Sequence, residues 1–373
     1  MFSNEVDNDS TPLTRFERGS LARLHSSRDQ FIGFAYVNPH ALICARILSR
    51  DVNQPIGVPL LLKRLRTALA LRERLYAAPY YRLLYGDADG LPGLVIDRYG
   101  DVLVGQIATA GMEALRPMIE QALYLMLNPK LLVWKNDSSA RELEGLPREV
   151  QVVGAELPEE LEVIENGITY SAPLAAGQKT GWFYDQAANR QRLHRLMGKG
   201  ARVLDVCSYV GAWAISALKN GASEALCIDS SERALEFAAK NAARNGVTLP
   251  LRKADAFDAL AALHAEGRRF DVVIVDPPAF IKRKRDLPQG EAAYRKMNQL
   301  ALRLLDHDGL LVSCSCSYHL GFDELPEIIQ SAARHADCDV QILEAGGQSP
   351  DHPVHPAIRE TRYLKAFFCR VTR

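Results

Sequence analysis

From about Met197 the chain becomes a regular alternation of short apolar runs and helical periods, and nothing else in it restricts the fold as much. Arg202–Val206, Ala225–Ile228, Leu249–Arg252, Phe270–Val275 and Gly309–Ser313 read as buried strands. Helical segments follow them over Trp213–Asn220, Ser231–Asn245, from Phe257, about 290–306 and about 323–335. Ser231 is placed to cap one helix and Gly246 to end it. Two strands, Val340–Leu343 and Tyr363–Val371, close the chain. Five β-α units followed by a strand pair predict an α/β fold with a doubly wound, seven-stranded mixed sheet, its last strand inserted antiparallel.

The preceding half has a different texture. Phe31–Val37 and Ala41–Leu48 read as strands joined by the turn Asn38-Pro39-His40, a small β unit. Apolar residues then recur over Pro59–Ala77 between Lys63, Arg64, Arg66, Arg72 and Arg74, which predicts a helix with a basic outer face. Tyr81–Tyr85, Leu94–Asp97 and Asp101–Ile107, a helix over Gly111–Leu127 and a strand at Leu131–Trp134 form a second small module. Its Asp87 and Asp89, beside glycines, read as turn formers. Val163–Pro173 reads as a hairpin around Asn166-Gly167. Three domains are expected: 1–78, 79–170 and 171–373.

Composition excludes several classes. The 373 residues are 47% hydrophobic and 24% charged, as in globular proteins, and no apolar run reaches the roughly 18 residues a membrane-spanning helix needs. The acidic start, Met1–Asp9, lacks the plan of a secretory signal. The seven cysteines (Cys44, Cys207, Cys227, Cys314, Cys316, Cys338, Cys369) include no metal-binding pair, so reduced thiols in a cytoplasm and no metal are expected. With 45 basic and 45 acidic residues, any nucleic-acid binding has to come from local patches.

The loop after the first strand of the sheet bears on the cofactor. A dinucleotide enzyme would show G-x-G-x-x-G there. Asp205–Ala214 has a single loop glycine, Gly211, which suits a ligand without phosphates such as S-adenosylmethionine. Asp229, ending the second strand, stands where a carboxylate can accept from both ribose hydroxyls. Asp255, Ala256 and Phe257 follow the third strand and suit an adenine amino group and ring face. Asp229 and Asp255 are also ordinary helix-capping residues.

Two short segments narrow the chemistry further. Asp276-Pro277-Pro278-Ala279-Phe280 and Ser315-Cys316-Ser317 each follow a predicted strand, and ligands of open α/β sheets sit outside those carboxyl ends. A carboxylate on a stiff Pro-Pro turn and a thiol facing one crevice suggest covalent chemistry on a base. Alternation places Cys314 and Cys316 on the same side of an ideal strand, so pattern does not choose between them.

With these motifs, the chain resembles the class I methyltransferases of the large-subunit ribosomal RNA cytosine-C5 type, over roughly residues 28–370. The matching residues are Gln178–Gln186 with Arg190, Cys207–Gly211, Asp276–Phe280, Ser315–Ser317, Asp351–Pro353 and Gly90–Arg98. Ala187 stands where the family usually has Arg, Val210 and Ala212 replace its Thr and Gly, and the N-terminus is short, as if an initial strand were missing. The resemblance implies a PUA-like domain, a small α/β middle domain and a Rossmann-like catalytic domain. It implies Cys316 as nucleophile with Asp276 beside it, and a cofactor set of Ser208, Tyr209, Gly211, Asp229, Ser230, Asp255, Ala256 and Asp276. Pro277, Phe280, Lys282, Arg283, Lys179 and Arg190 are the expected substrate contacts. RNA is the expected partner, with no membrane and with a homodimer as the assembly to be tested. Two other readings stay open: an N-methyltransferase acting on an exocyclic amine, and a non-catalytic RNA-binding assembly factor.

Overall fold

The computed structural model describes the whole chain except residues 175, 176 and 178. The chain divides into two compact units. The first holds residues 1–161, 174–182 and 351–361; the second holds 162–173, 183–350 and 362–373.

The first unit opens with an antiparallel three-stranded sheet, β1 (Ser20–His25), β2 (Phe31–Val37) and β3 (Ala45–Ser49). β1 was not expected from the sequence; its side chains alternate between half-buried and exposed, and it carries little apolar signal. β3 starts later than expected because Asn38 N donates to the Cys44 carbonyl, which turns the segment between them into a loop. Helix α1 (Val58–Leu75) leads to a five-stranded sheet of β4 (Tyr80–Tyr85), β5 (Leu94–Tyr99), β6 (Val102–Ile107), β7 (Leu131–Asn136) and β8 (Glu149–Gly154). Between β6 and β7 run α2 (Ala110–Ala114) and α3 (Arg116–Leu127), and α4 (Ala140–Leu143) precedes β8. The single helix expected over 111–127 is two, because Pro117 begins a new helix.

Tyr36 and Leu48 of the first sheet share one core with Leu61, Leu65, Leu83, Leu94 and Trp134, so the two sheets form a single compact unit across residue 78. Gly111 makes their approach possible, since a Cβ there would lie 2.0 Å from the Tyr36 ring. The basic face expected on α1 is partly internal. Arg72 is fully buried, donating to both Asp89 oxygens (2.8 and 2.7 Å) and to the Arg82 carbonyl (2.9 Å).

The second unit takes in, from residue 162 on, the hairpin of β9 (Glu160–Glu165) and β10 (Ile168–Pro173), turned by Asn166 and Gly167 at positive φ as the sequence implied. Then come α5 (Ala187–Leu196), β11 (Arg202–Val206), α6 (Ala212–Lys219), β12 (Glu224–Asp229), α7 (Glu232–Arg244), β13 (Leu251–Lys253) and α8 (Ala256–Ala265). β14 (Phe270–Val275), α9 (Leu287–Leu304), β15 (Leu305–Ser315), α10 (Glu324–Arg334), β16 (Asp339–Gly346) and β17 (Lys365–Thr372) complete it. The sheet order is β13-β12-β11-β14-β15-β17-β16, with β17 inserted antiparallel to both neighbours. That is the seven-stranded mixed sheet predicted. Leu204, Val206, Val273, Val275 and Leu311 pack with residues of α8, α9 and α10. Val203, Val272, Ile274, Val312 and Cys314 pack with residues of α5 and α6. Burying each Val, Ile or Leu contributes roughly 1.5–3 kcal/mol, so the two-sided sheet is the stable platform on which the loops stand.

Candidate active site at the carboxyl edge of the seven-stranded sheet

Parallel register lines up the carboxyl ends of four strands. Val206 pairs with Ile228 on one side and Val275 on the other, and Val275 pairs with Ser313. The Cys207–Gly211 loop, Asp229, Asp276 and Cys316 therefore project from one edge. Local geometry shapes the loop: Cys207, Tyr209 and Gly211 all have positive φ, and the chain curls back so that Gly211 N donates to the Ser208 carbonyl at 2.9 Å. Gly211 also sits 3.2 Å, from its would-be Cβ, against Ala238, so a larger residue would be both strained and crowded.

The cofactor candidates have structural duties as well. Asp229 accepts from Tyr209 N and Ser231 N, each at 2.8 Å, and so fixes both the loop and the start of α7. Asp255 caps α8 through Oδ1, accepting from Phe257 N at 2.8 Å. Of the two capping roles foreseen as the ordinary alternative, Asp255 fills its own, whereas α7 is capped by Ser231 and Asp229 braces the turn before it. Each carboxylate keeps acceptor capacity beyond these bonds. Ser208 is buried; Ser230 is exposed and Ala256 half-buried at the start of α8.

Asp276 is held by two side chains the sequence reading did not select. Gln186 Nε2 and Trp213 Nε1 both donate to its Oδ2, at 2.9 and 3.1 Å. Burial pushes the Asp276 carboxyl up to about 6, against the opposing pull of the Trp213 bond. One strand away, Asp205 is fully buried with Oδ1 unpartnered among the described residues, and burial pushes it up to about 7. Gln186 lay within the quoted motif and Trp213 at the start of a predicted helix. Their indole and amide donors were the available signal, but only folding shows where they aim.

The thiol and the Asp-Pro-Pro turn do come together: Cys316 Sγ lies 3.9 Å from the Pro277 carbonyl oxygen. Burial separates the two neighbouring cysteines. Cys314 is 0% exposed, and burial pushes its thiol well above the ordinary value; Cys316 lies just past the strand end and is half-buried. Phe280 stacks on Phe257 at 6.1 Å between centroids and tilts against Tyr294 at 4.8 Å. Lys282 and Arg283 are exposed on the loop beyond.

One expected substrate contact, Arg190, is engaged elsewhere. Arg190 is buried, donating to both Glu165 oxygens (2.5 and 2.7 Å) and the Phe183 carbonyl (2.8 Å). A guanidinium engaged in that way anchors α5 to the hairpin rather than reaching RNA. Lys179 is exposed but belongs to the first compact unit, and the neighbouring Gln178 lies outside the described residues.

The donor set fits S-adenosylmethionine. The edge presents the carboxylates of Asp229, Asp255 and Asp276 and no basic side chain between Cys207 and Gly211, so it disfavours a pyrophosphate and suits a hydroxyl- and amine-bearing cation.

Comparison with known proteins agrees. The family model for S-adenosylmethionine-dependent methyltransferases matches residues 145–370, and a PUA-like domain model matches residues 1–50. A relative from Erwinia tasmaniensis, named ribosomal RNA large subunit methyltransferase I, is 36% identical over 363 residues, 95% of this chain and 91% of that one. The Serratia proteamaculans protein of the same name is 35% identical over 362 residues, again 95% and 91%. A SAM-dependent methyltransferase from Streptococcus mutans superposes with a TM-score of 0.81 at 22% identity, over 95% of this chain and 92% of that one, which shows a shared fold. With its model matched over more than half the length and such relatives over nearly all of it, this chain belongs to the S-adenosylmethionine-dependent methyltransferase family.

Proposed function

We propose that this protein methylates large-subunit ribosomal RNA, forming 5-methylcytosine through a covalent bond between Cys316 and C6 of the base. The relatives named above and the PUA-like match support the RNA substrate. The observation that carries the chemistry is the half-buried Cys316 thiol beside the Pro277 carbonyl, on the edge that also holds Asp276. In this reading the chain works as a PUA-like part to about 78, a middle part to about 170 and a methyltransferase part beyond.

Cytosine C5 is too weak a nucleophile to take a methyl group unaided. Cys316 as thiolate adds to C6 as N3 takes a proton. The ring electrons make C5 an enamine carbon, which attacks the methyl, and the electrons of the broken C–S bond leave with the neutral sulfide. A base removes H5, its electron pair re-forms the C5=C6 double bond, Cys316 leaves as thiolate, and N3 gives back its proton. Bound S-adenosylmethionine supplies the electrophilic methyl. Asp276 suits the addition step. Its Oδ2 is held by Gln186 and Trp213, which leaves Oδ1 for the base, and a carboxyl titrating near 6 can share a proton with N3 as charge develops there. Phe280 offers a ring face beside the pocket, and exposed Lys282 and Arg283 are placed for phosphate contact. The base must be unstacked to reach C6, so a single-stranded or opened segment is the expected substrate.

Cys316→Ala tests this. Tritiated methyl transfer to ribosomal RNA should fall to background while S-adenosylmethionine binding persists by calorimetry. Wild-type protein, but not the variant, should be trapped on RNA carrying 5-fluorocytosine. Transfer at a normal rate by Cys316→Ala would replace this reading with methylation of an exocyclic amine.

A further inference from the structure

Lys365 opens β17 directly opposite Ser315, the residue before Cys316. It is only 4% exposed, yet no carboxylate forms an ion pair with it among the described residues. Its Nζ donates instead to two main-chain carbonyls, Ser317 at 2.6 Å and Leu320 at 2.7 Å. The chain leaving Cys316 is thus folded around a buried ammonium that has a third N–H to give. A buried cation without a counter-ion is unfavourable unless another anion stands nearby.

The same turn is fastened from its other side. Tyr294 of α9 receives the Ser315 hydroxyl at 2.9 Å and shares a hydrogen bond with Ser317 Oγ at 2.8 Å. Ser317 N donates to Ser315 Oγ, and Ile281 N, just past the Asp-Pro-Pro-Ala-Phe segment, donates to Ser317 Oγ at 3.1 Å. Both neighbours of Cys316 are therefore fixed by hydroxyls, while the ammonium holds the carbonyls of Ser317 and Leu320.

We propose that Lys365 is a positioning residue which holds Cys316 as a thiolate, the pair replacing the cysteine–histidine arrangement of other thiol enzymes. The inference rests on the reading of Cys316 as nucleophile. A neighbouring ammonium favours the charged form of a thiol, and the thiolate is the reactive form. The other ionisable groups around the pair are Glu324 and Arg362 on the lysine side, and Tyr294, Cys314 and Asp276 toward the thiol. Burial pushes the Lys365 ammonium down to about 8, and charge on Cys316 is the foremost influence holding it up. By reciprocity the ammonium supports charge on the sulfur.

The test is peptide-resolved alkylation of Cys316 by iodoacetamide from pH 5 to 10, read by mass spectrometry on the full chain. Wild type should show a half-point below the roughly 8.5 of an ordinary thiol. Lys365→Met should raise the half-point by about one unit, lowering thiolate and alkylation rate near pH 7 about tenfold, and methyl transfer with them. Lys365→Arg should restore the wild-type profile, and S-adenosylmethionine binding should be unchanged throughout. A wild-type half-point at or above about 8.5 overturns the proposal even where Lys365→Met does not fold, and so does an unshifted profile in a folded Lys365→Met. Methyl transfer surviving Cys316→Ala would instead overturn the nucleophile reading, a result the alkylation profile does not depend on.

Discussion

The core of the first unit and the sheet edge of the second treat charge in opposite ways, although the second unit has its own buried pair in Arg190 and Glu165. In the first, Arg72 meets Asp89 at 2.7 Å, Arg82 meets Asp97 at 2.6 Å and Arg141 meets Glu113 at 2.9 Å, each guanidinium buried or nearly so and each with an acidic partner. At the second unit's sheet edge, Asp205 is buried and Asp276 half-buried with no cation bonded to either among the described residues, and desolvation pushes both carboxyls up, to about 7 and about 6. Paired charges hold a fold in register. Unpaired carboxyls that titrate near neutrality mark a place where the structure accepts a penalty, and such places coincide with chemistry.

Breaking a pair in the first unit should have the largest effect on stability. Arg72→Leu leaves the nearly buried Asp89 carboxylate without its cation and strips three carbonyls, of Ala68, Arg82 and Asp351, of a donor; unfolding by denaturant should show a loss of about 3–5 kcal/mol. A loss near zero would mean that Asp89 finds water, and the contrast between the units would weaken.

An intermediate effect is expected at Asp229, whose carboxylate is held by two backbone amides rather than by a cation. Asp229→Ala should weaken S-adenosylmethionine binding by about 1–3 kcal/mol in calorimetry. Unchanged affinity would remove Asp229 from the cofactor site and leave it a structural residue of the loop.

The smallest effect is a slope. Asp205 keeps its proton in the folded protein up to about 7, whereas the unfolded chain releases it near 3.8. Between those values the folded state binds more protons, so this residue makes stability fall as pH rises through that window. Asp205→Asn, which can still accept from Ala214 N, should flatten that part of the stability profile and leave the protein relatively more stable at pH 8 than at pH 5. An unaltered slope would show that Asp205 is not held protonated.

Much of the second unit was legible in the chain. Arg202–Val206 and Phe270–Val275 were bounded to the residue, because a strand buried on both faces is a run of apolar residues ended by turn formers. Ser231 accepts from Ala234 N and Gly246 takes positive φ, since capping chemistry is local. β1 and β8 were missed for the converse reason: edge strands alternating half-buried and exposed residues leave a faint pattern. The basic face assigned to α1 failed at Arg72, because periodicity gives the angle of a side chain around its helix and says nothing about an acid waiting across the core.

At the site the division is similar. Sequence by itself determined which strand ends carry Asp229, Asp276 and Cys316, because each lies within a few residues of a strand whose ends are set by local apolar pattern. Tertiary structure alone decided that Cys314 is sealed in the core while Cys316 is reachable, that Gln186 and Trp213 converge on Asp276, that Arg190 is taken up by Glu165, and that Lys365 stands opposite Ser315 with its ammonium on the Ser317 carbonyl. Those contacts join residues as many as 90 positions apart, and the burial that sets their charge is a property of the assembled packing, which no single stretch of chain contains.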